Sequence, residues 1–386
     1  MLSVKKFLVL LVLLGLSPIS AAYCADETIA LDTSDKTLES GVTTTTASDS
    51  AKNIEKNAVR RKLESGLTLF STDGIVFESG PIKSIKLGAG NENPVTMTQV
   101  SGKEFSGTAT SNAIELYALT KFRNDKTSMM FMFNPLRNLA DTQNGFTEKV
   151  SEISIIHKFT KNQSVIIGQA KRLPIGVEGS ITPMAQDMVL RAQIARNFGN
   201  TRSLGVRNIG NYKYMDYDIG YYDSSRYMQD LFNGSELAGW VNFKPMAKLD
   251  PKKYGSMTVG AGYDVGKAAY SYNVVGTYLG YKYKKFATNF EYANANGYNG
   301  AVNSPNKAQG FYTTVMYDVT PKIQLAARYD YFDPNKNTSN NSIKECGVGA
   351  TYFFSKKLKF LANYVRQIKD NGPDSNMFLF AARFTI

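Results

Sequence analysis

In 386 residues histidine and tryptophan occur once each and cysteine twice. So few soft ligands leave no metal-binding cluster, and neither a phosphate-cradling glycine loop nor a nucleophile elbow is present. His157, in Ile155-Ile156-His157-Lys158-Phe159, has isoleucine and phenylalanine two positions away on its own face, where a nucleophile–base pair would need serine. Catalysis is therefore not expected, nor is a cofactor or a metal. After residue 25 no run of about eighteen apolar residues occurs, which excludes a transmembrane helix. Any membrane crossing has to use strands.

The N-terminus carries Lys5 and Lys6, an apolar run at 7–16 and small residues at 17–22, the three parts of a secretory signal peptide. Cleavage fits after Ala22 or Ala25, so 1–25 is read as the signal. Cys24 offers lipoprotein processing as an alternative, against which Tyr23 is a poor preceding residue. A cut after Ala25 leaves Cys346 alone and rules out an internal disulfide. Residues 26–63 are rich in Ser, Thr, Asp, Lys and Asn, with the run Thr43-Thr44-Thr45-Thr46, and read as a disordered periplasmic leader. Within it, 53–63 has the loose spacing of a short charged helix (Ile54, Ala58, Leu63). A formal charge of +12 would suit nucleic acid. Export removes that partner and leaves small anions and acidic lipopolysaccharide.

From Glu64 onward the hydrophobic period is two. At the end of the chain, Phe378, Phe380, Ala382, Phe384 and Ile386 share one face, and Met377, Leu379, Ala381, Arg383 and Thr385 the other. The same alternation sets Ile323, Leu325, Ala327, Tyr329 and Tyr331 against Gln324, Ala326, Arg328 and Asp330, and places Cys346 among oily neighbours. An oily last strand in an exported chain suits an outer-membrane barrel, whose lipid face is continuous and whose last strand closes on the first. Connections alternate in length: 283–285, 318–321 and 355–357 are short, while 294–307, 333–342 and 369–375 are long and polar. Short turns on one rim and long loops on the other are the barrel layout, the short rim being periplasmic. At roughly 20 residues per strand with its share of connections, 64–386 holds about sixteen antiparallel strands of an all-β transmembrane barrel. Such a barrel encloses water. At 182–198 the period of two fails; Met184, Met188 and Ala192 recur at helical spacing, so a loop with a helical turn is expected, folded inward to narrow the pore.

Lys171-Arg172-Leu173-Pro174-Ile175-Gly176-Val177-Glu178, Leu190-Arg191-Ala192, Ala195-Arg196-Asn197-Phe198-Gly199 and Leu204-Gly205-Val206-Arg207 resemble the phosphate-selective porin O and P family. Ala327-Arg328-Tyr329-Asp330-Tyr331-Phe332-Asp333-Pro334 and Lys359-Phe360-Leu361-Ala362-Asn363-Tyr364-Val365-Arg366 extend the likeness towards the C-terminus. The resemblance implies an outer-membrane porin: a sixteen-stranded barrel, homotrimeric, with an inward-folded constriction loop and a basic lumen passing small solutes, phosphate-like anions in preference. It departs at Leu190, where an acidic residue is common, and at Ile386, where an aromatic is usual. Candidate pore cations are Lys171, Arg172, Arg191, Arg196, Arg202 and Arg207, with Arg328 and Arg383 inward by parity. Spaced guanidinium and ammonium groups replace an anion's lost hydration and hand it onward. The alternatives are a structural barrel tethered to the cell wall by residues 26–63, and a general porin without preference.

Overall fold

The computed structural model describes residues 75–77, 79–109, 114–135, 149–171, 177–181, 185–199, 201–225 and 232–385. The signal and the leader, with its expected helix at 53–63, lie outside them. One antiparallel sheet closes on itself. Its strands are β1 (Ile82–Val100), β2 (Phe105–Ala109 and Glu115–Phe122), β3 (Thr127–Phe133), β4 (Val150–Thr160), β5 (Gln163–Lys171), β6 (Arg202–Asn211), β7 (Met215–Asp223) and β8 (Ser235–Phe243). The second half comprises β9 (Ser256–Lys267), β10 (Ser271–Tyr283), β11 (Phe286–Asn299), β12 (Asn303–Thr320), β13 (Ile323–Asp333), β14 (Ile343–Ser355), β15 (Leu358–Lys369) and β16 (Ser375–Thr385). Both pieces of β2 pair with the same edge of β1, so they count as one strand of a sixteen-stranded barrel. A stub, Ile75–Val76, covers the stretch of β1 that β16 leaves unpaired.

Closure runs through β16 and β1, with Leu379 opposite Thr96 and Phe380 opposite Val95. Closing the sheet removes the edge whose unpaired amides would be costly in hydrocarbon. The alternation read from the sequence then sorts the faces. Phe380, Val348, Leu325, Val275 and Ile155 are exposed on the outside, together with Cys346, whereas Arg383, Leu379, Arg328 and Asp330 are buried inside. His157 points outward with Ile155 and Phe159. Its Nδ1 lies 3.0 Å from Thr127 Oγ1, and its ring meets that of Phe159 edge-on at 5.1 Å.

The rims differ from expectation in two places. Residues 294–307 form no long loop: β11 and β12 run on to a turn at 300–302, pairing Asn296 with Lys307 and Asn299 with Asn303. Asparagine-rich composition there marks strand standing clear of the lipid, where outward side chains no longer need to be oily. On the short-turn rim, 244–255 is long and carries a helical turn, Pro251–Tyr254, capped by Asp250 accepting from the Lys252 amide.

Between β5 and β6 the chain leaves the wall. Gly168 in β5 has φ 129°, a region that glycine alone tolerates well, and a Cβ there would strike the Ile153 carbonyl. Just beyond it, Gln169 is fully buried and donates to the Val150 carbonyl at 2.6 Å. Among its described residues the connection that follows contains two short helices, α1 (Val177–Ser180) and α2 (Gln193–Phe198), and turns inward. The helical turn expected within 182–198 is α2, at the end of that stretch, whereas Met188, Val189 and Leu190 are not helical and pack against the opposite wall.

Candidate functional site

The loop crosses to β10–β16 and is seated there by packing, a lane of small residues and polar clamps. Ala192, Ile194 and Phe198 pack against Val274, Ala293, Ala295, Tyr298, Ala308, Tyr312 and Phe332. Phe198 meets Tyr298 and Phe332 edge-on at 4.9 and 5.7 Å. Val189 and Leu190 pack on Leu361, Val365, Leu379 and Ala381. Fully burying one such large side chain is worth about 1.5–3 kcal/mol. Glycines keep the lane open: a Cβ on Gly310 would come within 2.7 Å of Ile194 Cγ2, and one on Gly347 within 2.9 Å of Met188 Cε.

Wall side chains satisfy the loop's backbone. Asn363 Oδ1 accepts from the Val189 amide at 2.6 Å, and Asp330 Oδ2 accepts from the Gln193 amide at 2.7 Å, at the start of α2. Lys359 donates to the Gln186 carbonyl at 2.6 Å. Arg383, wholly buried, donates to the carbonyls of Met188 at 3.2 Å and Val189 at 3.0 Å. Arg328 donates to the Leu190 carbonyl and to Thr314 Oγ1, both at 2.9 Å, and pairs with Glu178, which also accepts from the Ala192 amide. The guanidinium carbon of Arg328 lies 5.4 Å from the Tyr312 ring centre, a cation–π contact.

The cations singled out by sequence therefore divide by partner. Arg328 and Arg383 clamp the loop. Arg191 donates within it, to the carbonyls of Glu178 and Ile181. Arg196 reaches Glu345 at 2.5 Å with its side chain 34% exposed. Arg202 on β6 pairs with Glu115 on β2 at 3.5 Å, and Arg207 with Asp218 on the neighbouring β7 at 3.2 Å. Arg172 and the Lys171 side chain lie outside the described residues.

Asp187 sits in this loop seat. Burial pushes its carboxyl up to about 6, with Glu178 and Asp318 adding to the rise and Lys359 and Arg328 opposing it. A carboxyl raised in the folded state destabilises that state as it ionises. The seat is therefore tighter below pH 6 than above it, the difference developing between the ordinary value of 3.8 and about 6. Open-channel noise recorded at pH 5 and pH 7 should rise with pH in the natural chain, and Asp187→Asn should abolish the difference.

On the inner face, side chains of β8–β16 are largely buried, whereas on β1–β4 Leu119, Ser128 and Ser154 are buried and most of the others are half-exposed. Carrying the alternation through the register sets Lys86, Glu115, Tyr117, Lys121, Met130, Met132, Glu152 and Lys158 inward. Leu116, Ile153, Ile155 and Phe159 face out and are exposed. Lys86 is exposed and Lys121 and Lys158 half-exposed, near the short-turn rim, and Lys86 and Lys158 are close enough to repel Lys121. None of the three makes an ion pair among the described residues. Sequence reasoning missed them because they lie about 35 positions apart on three strands; only the register unites them.

A closed sixteen-stranded barrel with an oily exterior and a loop folded into its interior defines the porin class, a channel of the outer membrane. Residues 241–376 match the model of the family phosphate-selective porin O and P. No curated protein matches the chain by sequence. Among solved structures, an anion-selective porin from Comamonas acidovorans superposes with TM-score 0.57 at 10% identity, over 78% of this chain and 99% of its own. Salmonella typhi OmpF, in a complex with daunomycin, gives 0.58 at 13% identity, over 81% and 99%. The Acinetobacter baumannii outer membrane channel DcaP gives 0.54 at 13%, over 81% and 99%. At these identities the likeness is one of fold.

Proposed function

We propose that this barrel is a passive porin with a preference for small anions, phosphate among them, and little discrimination between them. The observation that carries the reading is Lys86, Lys121 and Lys158, three inward lysines without an ion pair among the described residues, on the part of the wall the loop leaves uncovered. Ammonium groups act as point charges, whereas guanidinium forks select planar oxyanions. A path relying on lysines therefore favours charge over identity. Arg196, paired yet partly exposed, adds a cation on the loop itself. The family description and the Comamonas neighbour point the same way. Trimeric assembly belongs to this reading; a Vibrio cholerae OmpT structure of the same fold, with TM-score 0.50 and 12% identity, is described as a trimer form.

The test is the zero-current potential of the purified channel across a salt gradient. The natural chain should show anion preference, and changing Lys86, Lys121 and Lys158 together to glutamine should move the potential most of the way to zero. A cation-selective natural channel would sink the proposal.

A further inference from the structure

We propose that ions cross this barrel off-axis, along the inner faces of β1–β4, through a path with a carboxylate at its outer end and lysines at its periplasmic end, and that this polarity makes the channel rectify. The inference rests on the reading of the barrel as an open channel. The route follows from burial: the loop and its seat occupy the inner faces of β10–β16, and those of β8 and β9 are buried too, whereas Tyr117, Met130, Met132 and Ile156 on β2–β4 keep partial exposure.

The polarity follows from register. Tyr117, Met132 and Glu152 form one row across β2–β4, and Lys121, Ser128 and Ile156 form another nearer the short-turn rim, with Lys158 just beyond it. From Glu152 to Lys158 along β4 is about 20 Å at the usual rise per residue. Among the described residues near the outer end, Glu115 is offset by Arg202 and accepts from Ser151, and Arg207, which Glu152 also faces, is offset by Asp218, so Glu152, held by Ser154 at 2.9 Å, carries the net charge. In about 0.1 M salt the screening length is about 10 Å, shorter than this separation, so the two ends act as independent gates. When the extracellular side is positive, anions enter past the lysines and cations past the carboxylate, and both are enriched along the path. With the opposite polarity both are depleted.

Current–voltage curves of the full-length protein, inserted from one side so that channels share an orientation, test this. At about 0.1 M salt the currents at equal and opposite voltages should differ by about twofold, and at about 1 M, where screening shortens to about 3 Å, they should nearly coincide. Glu152→Gln and, separately, Lys121→Gln with Lys158→Gln should each reduce the asymmetry. Two independent variants guard against one that fails to fold. A conducting channel with symmetric current at low salt, or one whose asymmetry neither variant changes, overturns the proposed polarity while leaving the porin reading intact. Absence of any conductance overturns the porin reading and this inference with it.

Discussion

Changing Arg328 to methionine should cost about 3–5 kcal/mol, the usual penalty for stranding one member of a buried ion pair. Glu178, 3% exposed, would lose its cation, and the Leu190 carbonyl its donor. Loss should appear first as a loosened loop, because both partners belong to it. Single-channel conductance and the solute size limit should therefore rise along with a fall in the heat-unfolding temperature. Arg328→Lys keeps the charge without the fork, which here reaches Thr314, Leu190 and Glu178 together, and should fall between. Adding Glu178→Gln to Arg328→Met should recover part of the loss, since a neutral amide is cheaper to leave buried than a carboxylate. If Arg328→Met folds with conductance and solute limit unchanged, Arg328 does not hold the loop.

Gly310→Val should be the most damaging change in the small-residue lane. Its Cβ would lie 2.7 Å from both Ile194 Cγ2 and the Tyr331 carbonyl, and the latter is backbone that cannot swing aside. Overpacking of this kind costs about 1–3 kcal/mol or more. It should lift α2 from the wall, with raised conductance and a lowered melting point. Ile194→Ala in the same chain removes one obstruction and should restore part of the loss. Gly347→Ala meets the flexible end of Met188 and should be nearly silent by comparison. Equal effects from the two glycine changes would argue against a shaped lane.

Much of the barrel was legible because lipid imposes a period of two that side chains cannot evade. The outward faces of β13 and β16 follow from Leu325 and Phe380 alone, and the inward parity of Arg328 and Arg383 follows with them. What parity does not carry is the identity of a side chain's partner across the interior. Arg328 and Arg383 read as pore cations until the carbonyls of residues 188–190 are set in front of them. A signal of that cover was present: Leu361, Val365, Leu379 and Ala381 face inward, and a wall washed by water has no need of them. An inner face as oily as the outer one marks where something lies against it. Residues 294–307 misled for the opposite reason, since polar strand above the lipid has the composition of a loop.

The loop's distant seat also orders assembly in time. Arg383 closes on the Met188 carbonyl across 195 positions of sequence, so the seat of the loop is incomplete until β16, the strand that closes the barrel, has taken its place. Loop closure on this scale makes contacts between distant parts of the chain slow to form. Until the loop is seated, β15 and β16 present oil on both faces. Escorts that shield such segments would be needed longest by the end of the chain.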